Sequence, residues 1–279
     1  SQQQRGQRME SITIRQLDGK DMILSIENMS VARSGKLILK DINLQIHKGE
    51  FVGLVGPNGS GKSTLLLSIL GILKTQSGSV KMFGHPPMSK NLHGNIGWVS
   101  QAAANLPRDI KITVRELVQL GTVNAKNLFR LFDKDRAAQV EKAIQMVDLL
   151  DVKNTDIGRL SGGQRQRAVI ARALASEAEF IILDEPLVGI DRDARNSLLK
   201  LLDNLCHEEG KTILMVSHDL AAIRQTAHRM IFLEESIRFD GDTEEFPDLV
   251  SLADLRGIGQ VHDGMHSHNH TNAPSKEEE

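Results

Sequence analysis

The stretch Phe51 to Thr64, F-V-G-L-V-G-P-N-G-S-G-K-S-T, holds the residue types that chemistry on a polyphosphate requires. Gly56, Gly61, Lys62 and Ser63 fill the fixed positions of the pattern G-x-x-x-x-G-K-[ST], with Pro57, Asn58, Gly59, Ser60 and Thr64 completing the loop. Glycines let backbone N–H groups converge on phosphate oxygens, and a helix N-terminus adds partial positive charge. Lys62 has the reach for β- and γ-phosphates, and the Ser63 hydroxyl is an oxygen ligand suited to Mg²⁺. The pattern needs a strand before it and a helix after it. The apolar run Phe51 to Val55 supplies the strand, and Lys62 opens an apolar helical segment, Leu65 to Leu73. Together they predict a nucleoside triphosphate site.

Two further motifs carry chemistry. Phe180 to Pro186, F-I-I-L-D-E-P, is an apolar strand ending in two acids. On the same sheet as the loop, Asp184 is placed to hold Mg²⁺ and Glu185 to polarise an attacking water. Leu160 to Gln164, L-S-G-G-Q, is a second anion-binding device: a Ser cap, two glycines and a helix N-terminus. Its Ser161 stands 99 residues after Lys62 and 23 before Asp184.

These residues must be positioned by strands and helices that the pattern of apolar positions outlines. Ile23 to Val31 and Leu37 to Ile46 alternate as antiparallel strands ahead of the loop. Gly78 to Phe83 and Asn95 to Val99 are predicted strands, and Thr113 to Gly121 a helix capped by Thr113. Asn124 to Phe132 has no clear pattern, after which Ala137, Val140, Ile144 and Val147 recur at helical spacing. Val114 to Asp156 is thus a helical insertion. Ser161 to Ala175 is a helix and Phe180 to Leu183 a buried strand. Leu198, Leu199, Leu202, Leu205 and Cys206 form one face of a helix ending near Gly210. Thr212 to Val216 is a strand, Leu220 to Ala227 a helix, and Met230 to Leu233 with Ile237 to Phe239 a closing strand pair. Strands alternating with helices give an α/β fold with a mainly parallel sheet.

Composition sets outer bounds. The 279 residues suffice for one large domain, and 40 % apolar with 25 % charged residues is ordinary for a globular protein. A net charge of −2 offers no basic footprint for nucleic acid. The single cysteine, Cys206, excludes an internal disulfide and suits a reducing compartment. No apolar run approaches the ~20 residues of a membrane span, so contact with a membrane is expected through a partner.

L-S-G-G-Q, placed between the phosphate loop and the acid pair, resembles the signature of the ATP-binding cassette (ABC) ATPases. The resemblance runs from about Ile23 to about Asp240. It implies a P-loop NTPase (RecA-like) core with an antiparallel β subdomain and a helical subdomain inserted at about 113–175. The cassette then spans 22–242, between a flexible N-terminal segment, 1–21, and a C-terminal extension, 243–279. It also implies ATP with Mg²⁺ as cofactor and assigns roles by position. Gln101 matches a glutamine that contacts Mg²⁺ and senses the membrane partner. His218, 33 residues past Glu185, matches a histidine touching the γ-phosphate. Asp191 matches an aspartate that couples two nucleotide sites. Two cassettes of the family pack head to tail, so that Ser161, Gly162, Gly163 and Gln164 of one close over the nucleotide on Lys62 of the other. A second copy of this chain is the simplest partner. One position departs from the family: Arg33 stands where an aromatic residue usually stacks on adenine. A guanidinium is also able to stack on a purine.

Three jobs are open to such a chain: transporter motor, DNA-repair or chromosome machine, and ribosome-binding factor. Sustained heptads and a basic stripe are missing, and one cassette is present, which favours the transporter. With no span on this chain, a separate permease is implied, and an extracytoplasmic solute-binding protein indirectly. The expected place is the cytoplasmic face of the cell membrane. Gln101 to Gly121, with D-E-P-L-V-G-I-D, looks most like the manganese, zinc and iron importer branch, with siderophore, haem and cobalamin importers as near relatives. Finally, V-H-D-G-M-H-S-H-N-H puts His262, His266, His268 and His270 within nine residues, a candidate transition-metal ligand set in a polar tail expected to be disordered.

Overall fold

The computed structural model describes residues 21–106, 111–123 and 134–247. Two compact units divide the chain, Ser1–Phe246 and Pro247–Glu279. The expectations for Asn124 to Phe132, for residues 1–20 and for the tail histidines lie outside the described residues.

The long strands β1 (Met22–Arg33) and β2 (Lys36–His47) pair antiparallel through a two-residue turn. Ser34 and Gly35 both have positive φ, 50° and 78°, the conformation a tight hairpin demands. β4 (Ser77–Met82) adds to the other edge of β1, giving a three-stranded sheet ordered β2-β1-β4. The inward positions of these strands bury Leu24, Ile26, Met29, Leu39, Ile42 and Ile46. They share a core with Leu65, Leu66 and Ile69 of α1 (Lys62–Ile69) and with one face of the larger sheet.

That larger sheet has six strands, β5 (Ile96–Val99), β6 (Phe180–Asp184), β7 (Thr212–Val216), β3 (Phe51–Val55), β8 (Arg229–Glu234) and β9 (Ser236–Asp242), in this spatial order. All neighbours run parallel except the β8–β9 hairpin. β3, β6 and β7 are apolar nearly throughout because both faces are covered. α4 (Gly162–Leu174), α5 (Arg192–His207) and α6 (Leu220–Thr226) follow the signature and the last parallel strands. α6 lies so close on β3 that a Cβ at Gly53 would stand 2.3 Å from Ile223 Cγ2. Thr243 and Phe246 extend this packing: Thr243 Oγ1 donates to Ala227 O at 2.6 Å, and Phe246 meets the rings of Phe232 and Phe239.

α2 (Val114–Leu120) and α3 (Lys134–Met146) pack with α4 into the helical part. Thr113 caps α2 in a reciprocal box: its hydroxyl accepts from Glu116 N–H, and its own N–H donates to the Glu116 carboxylate. In α3 the expected stripe is corrected at one end. Val140, Ile144 and Val147 are buried, but Ala137 is exposed. Arg136 takes the inward place one position earlier, its Nε donating to Thr122 Oγ1 at 3.0 Å. The phase 136, 140, 144, 147 is the true helical face, and a polar residue sits where an apolar pattern cannot announce it.

Candidate active site

Parallel strands gather their carboxyl ends on one edge, and the loops that follow them meet there. The loop Gly56 to Gly61 leaves β3, Gln101 follows β5, Asp184 ends β6, and His218 follows β7. Register fixes their heights, since Leu54 and Asp184 both pair with Val216. The result is a cleft of about 600 Å³ whose walls include Arg33, Lys62, Ser63, Asp184, Glu185 and His218. Asn58, Gly59, Gly61, Thr64 and Gln101 line it as well.

The loop is shaped by its glycines. A Cβ at Gly61, where φ is +103°, would stand 2.5 Å from Leu39 Cδ2, and one at Gly56 would stand 2.2 Å from Leu233 O. Side chains are excluded there by backbone and core. Lys62 Nζ donates to the carbonyls of Gly56 at 2.8 Å and Pro57 at 3.0 Å, which folds the ammonium back into the loop. Burial pulls its pKa below the usual lysine value, against the opposing pull of Glu185 and Asp184. Burial likewise pushes the Asp184 carboxyl above the usual aspartate value; Glu185 adds to this and Lys62 opposes it.

Glu185 sits at φ 52°, in the left-handed region, with its N–H donating to Val216 O at 2.9 Å. A glutamate held there is strained, and surrounding structure must compensate. Its Oε2 lies 2.9 Å from His218 Nδ1, with the glutamate side chain 13 % exposed and the histidine 63 % exposed. One end of the pair is sheltered while the other opens to the cleft. Asp219, next to His218, caps α6 by accepting from Ala222 N–H and is bound by Arg195 Nη1 at 2.7 Å, so the histidine's segment is anchored.

The signature residues stand elsewhere. Ser161 caps α4, its hydroxyl accepting from Gln164 N–H at 3.1 Å while its N–H donates to Gln164 Oε1 at 3.0 Å. Gly163 presses on α5, where an added Cβ would lie 2.7 Å from Ala194 Cβ. None of the four signature residues lines the cleft. Asp191 is exposed and caps α5 through Ala194 N–H at 2.9 Å. Ile38, Val188 and Val216 line the cleft without having been singled out, because an apolar side chain carries no chemical signal in a sequence.

A parallel sheet with a glycine loop cradling a lysine after β3, and an acid pair at the end of β6, one strand removed, defines a P-loop nucleoside triphosphatase. Residues 39–188, more than half of the chain, match the ABC transporter family, and the chain belongs to that family as an ATP-hydrolysing cassette. It is 39 % identical over 238 residues to the zinc uptake system ATP-binding protein ZurA of Listeria innocua, covering 85 % of this chain and 93 % of that one. To the manganese transport system ATP-binding protein MntB of Halalkalibacterium halodurans it is 35 % identical, covering 77 % and 84 %. Its fold matches a dimeric cassette in a post-hydrolysis state bound to ADP and Pi, with TM-score 0.64, 29 % identity and coverage of 80 % and 100 %.

Proposed function

We propose that this cassette drives uptake of a transition-metal ion of the zinc, manganese or iron class through a separate membrane-spanning permease. The observation that carries the catalytic part is the single cleft uniting Lys62, Asp184, Glu185 and His218. The metal cargo rests on the relatives named for zinc and manganese transport.

ATP enters with its phosphates on Gly56, Pro57, Asn58, Gly59, Ser60, Gly61, Lys62, Ser63 and Thr64. A phosphate oxygen competes for the Lys62 ammonium, which gains a full anionic partner in place of two carbonyls. Arg33, at the β1 turn on the cleft wall, stacks on the base. Ser63, Gln101 and Asp184 offer a hydroxyl, an amide oxygen and a carboxylate, the hard oxygen set that Mg²⁺ prefers. An Mg²⁺ ion held by these residues would neutralise phosphate charge. Glu185 accepts a proton from the attacking water, and His218, held by Glu185, steadies the terminal phosphate.

Because Ser161 to Gln164 stand outside the cleft, they serve a second copy: the cassette works as a homodimer, each signature helix end closing over its partner's nucleotide. Asp191 and Gln101 pass that closure between the two sites and to the permease. Such a subunit belongs on the cytoplasmic face of the membrane, with a solute-binding protein outside, and no nucleic acid is needed. Among the described residues no helix is long and apolar enough to cross a membrane; in this reading the permease carries the ion. A transition metal on His262, His266, His268 and His270 would act as buffer or regulator.

A strain lacking this chain should accumulate less zinc or manganese, measured by elemental analysis and radioactive ion uptake. Wild type restores uptake and Glu185→Gln does not. Normal content of both metals and of iron in the deletion strain contradicts the cargo assignment.

A further inference from the structure

Far from the cleft, Asp203, His207 and His228 bring a carboxylate oxygen and two imidazole nitrogens within 4.8 Å of one another. Asp203 and His207 are four residues apart near the end of α5 and therefore share a helix face. His228 comes from the separate segment between α6 and β8. Its backbone is pinned on both sides: N–H donates to Phe51 O at 3.0 Å, and its carbonyl accepts from Thr243 N–H at 3.0 Å. The third donor is thus delivered by the start of the sheet rather than by a loose loop.

The distances suit an ion. His207 Nδ1 lies 3.1 Å from Asp203 Oδ1, and the two imidazole rings meet edge to face with centroids 4.8 Å apart. Donors around a tetrahedral metal with bonds of about 2.0–2.2 Å stand roughly 3.3–3.5 Å from one another, so small side-chain rotations bring all three onto one centre. A histidine drawn to the carbonyls at a helix C-terminus accounts for His207, whose Nδ1 also lies 3.1 Å from Asp203 O; His228 adds a second imidazole from a different segment, in edge-to-face contact with the first. Both imidazoles are exposed and Asp203 is half-buried, so an ion reaches the group without unfolding. Two imidazoles and one carboxylate select borderline divalent ions such as Zn²⁺ or Co²⁺ over Mg²⁺ and Ca²⁺.

We propose that Asp203, His207 and His228 form a divalent transition-metal site at the end of the sheet opposite the nucleotide cleft. An ion there ties the C-terminal end of α5 to the segment entering β8. The N-terminal end of the same helix is the one capped by Asp191 and pressed by the signature residue Gly163. The site is independent of what the permease carries and of the histidines in the tail.

The test is calorimetric titration of the full chain with Zn²⁺, in the presence of Mg-ADP to occupy the cleft. A background with His262, His266, His268 and His270 replaced by Asn removes the imidazoles of the tail. One Zn²⁺ per chain is expected in that background, a visible absorption band is expected with Co²⁺, and Zn²⁺ should raise the melting temperature. His228→Ala and Asp203→Asn should each weaken binding at least ~10-fold and abolish the thermal shift, while circular dichroism and ATP turnover stay unchanged. Absence of binding in that His→Asn background, or undiminished binding in both variants, overturns the site.

Discussion

Lys62 and Asp184 carry charge where burial opposes it, and that sets a cost on the nucleotide site. Asp184 ionises at a higher pH in the folded chain than in the unfolded one. Below the ordinary aspartate value of 3.8 the group is protonated in both states and adds no cost. The cost appears as pH rises through the folded value and persists at neutrality. Asp184→Asn should therefore melt at a higher temperature than wild type at pH 7 without nucleotide, and the gap should shrink toward pH ~4. Equal melting temperatures at pH 7 would contradict this. Glu185 makes a different prediction. Glu185→Gln should lower ATP turnover by ~10²–10⁴-fold with ATP affinity kept, since it removes a proton acceptor and leaves the loop intact. Near-normal turnover would remove Glu185 from the reaction. The acid pair was legible in the sequence, because an apolar strand running into D-E-P has few other uses beside a phosphate loop. The left-handed φ of Glu185 and its contact with His218 were not, since both depend on β6 and β7 being adjacent.

The element that links the regions is α5. Its N-terminus is capped by Asp191, its first turn bears on Gly163 of the signature helix, and its buried face of Leu198, Leu202 and Leu205 lies toward the core. Arg167 of α4 donates to Val147 O at 3.1 Å and to Ser197 of α5, joining the helical part to this helix. Asp191→Ala should cost ~0.5–2 kcal/mol in urea unfolding through loss of the cap. Asp191→Asn keeps a capping oxygen and should unfold like wild type, yet lower ATP turnover if the charge couples the two sites. Full turnover in the Asn variant would reduce Asp191 to a cap. The α5 stripe was legible because its apolar positions follow the helical period. The α3 stripe was misread at Ala137, because Arg136 is buried by a hydrogen bond to Thr122, and periodicity of apolar residues is blind to a satisfied polar one.

At the scale of the molecule, the proposed closed site draws its parts from two chains. Ser161 to Gln164 do not line the cleft of their own chain, so under the proposed function closure needs a second copy. In size-exclusion chromatography Glu185→Gln with ATP should elute as a dimer, because slow hydrolysis preserves the closed state. Adding Ser161→Arg should return it to monomer while ATP binding is retained. A dimer that survives Ser161→Arg would refute the head-to-tail arrangement. By itself the sequence determined the fold class, the order of strands and helices, and the chemistry of each motif. These depend on local periodicity and on residue types that phosphate chemistry demands at fixed spacing. Only the tertiary structure decided which strands are neighbours, that β4 joins the small sheet and β5 the large one, and that Gln101, Asp184 and His218 converge on Lys62. It also decided that Asp203 and His207 meet His228. Such contacts join residues far apart in the chain, and their positions are set by packing and strand register, which no local pattern encodes.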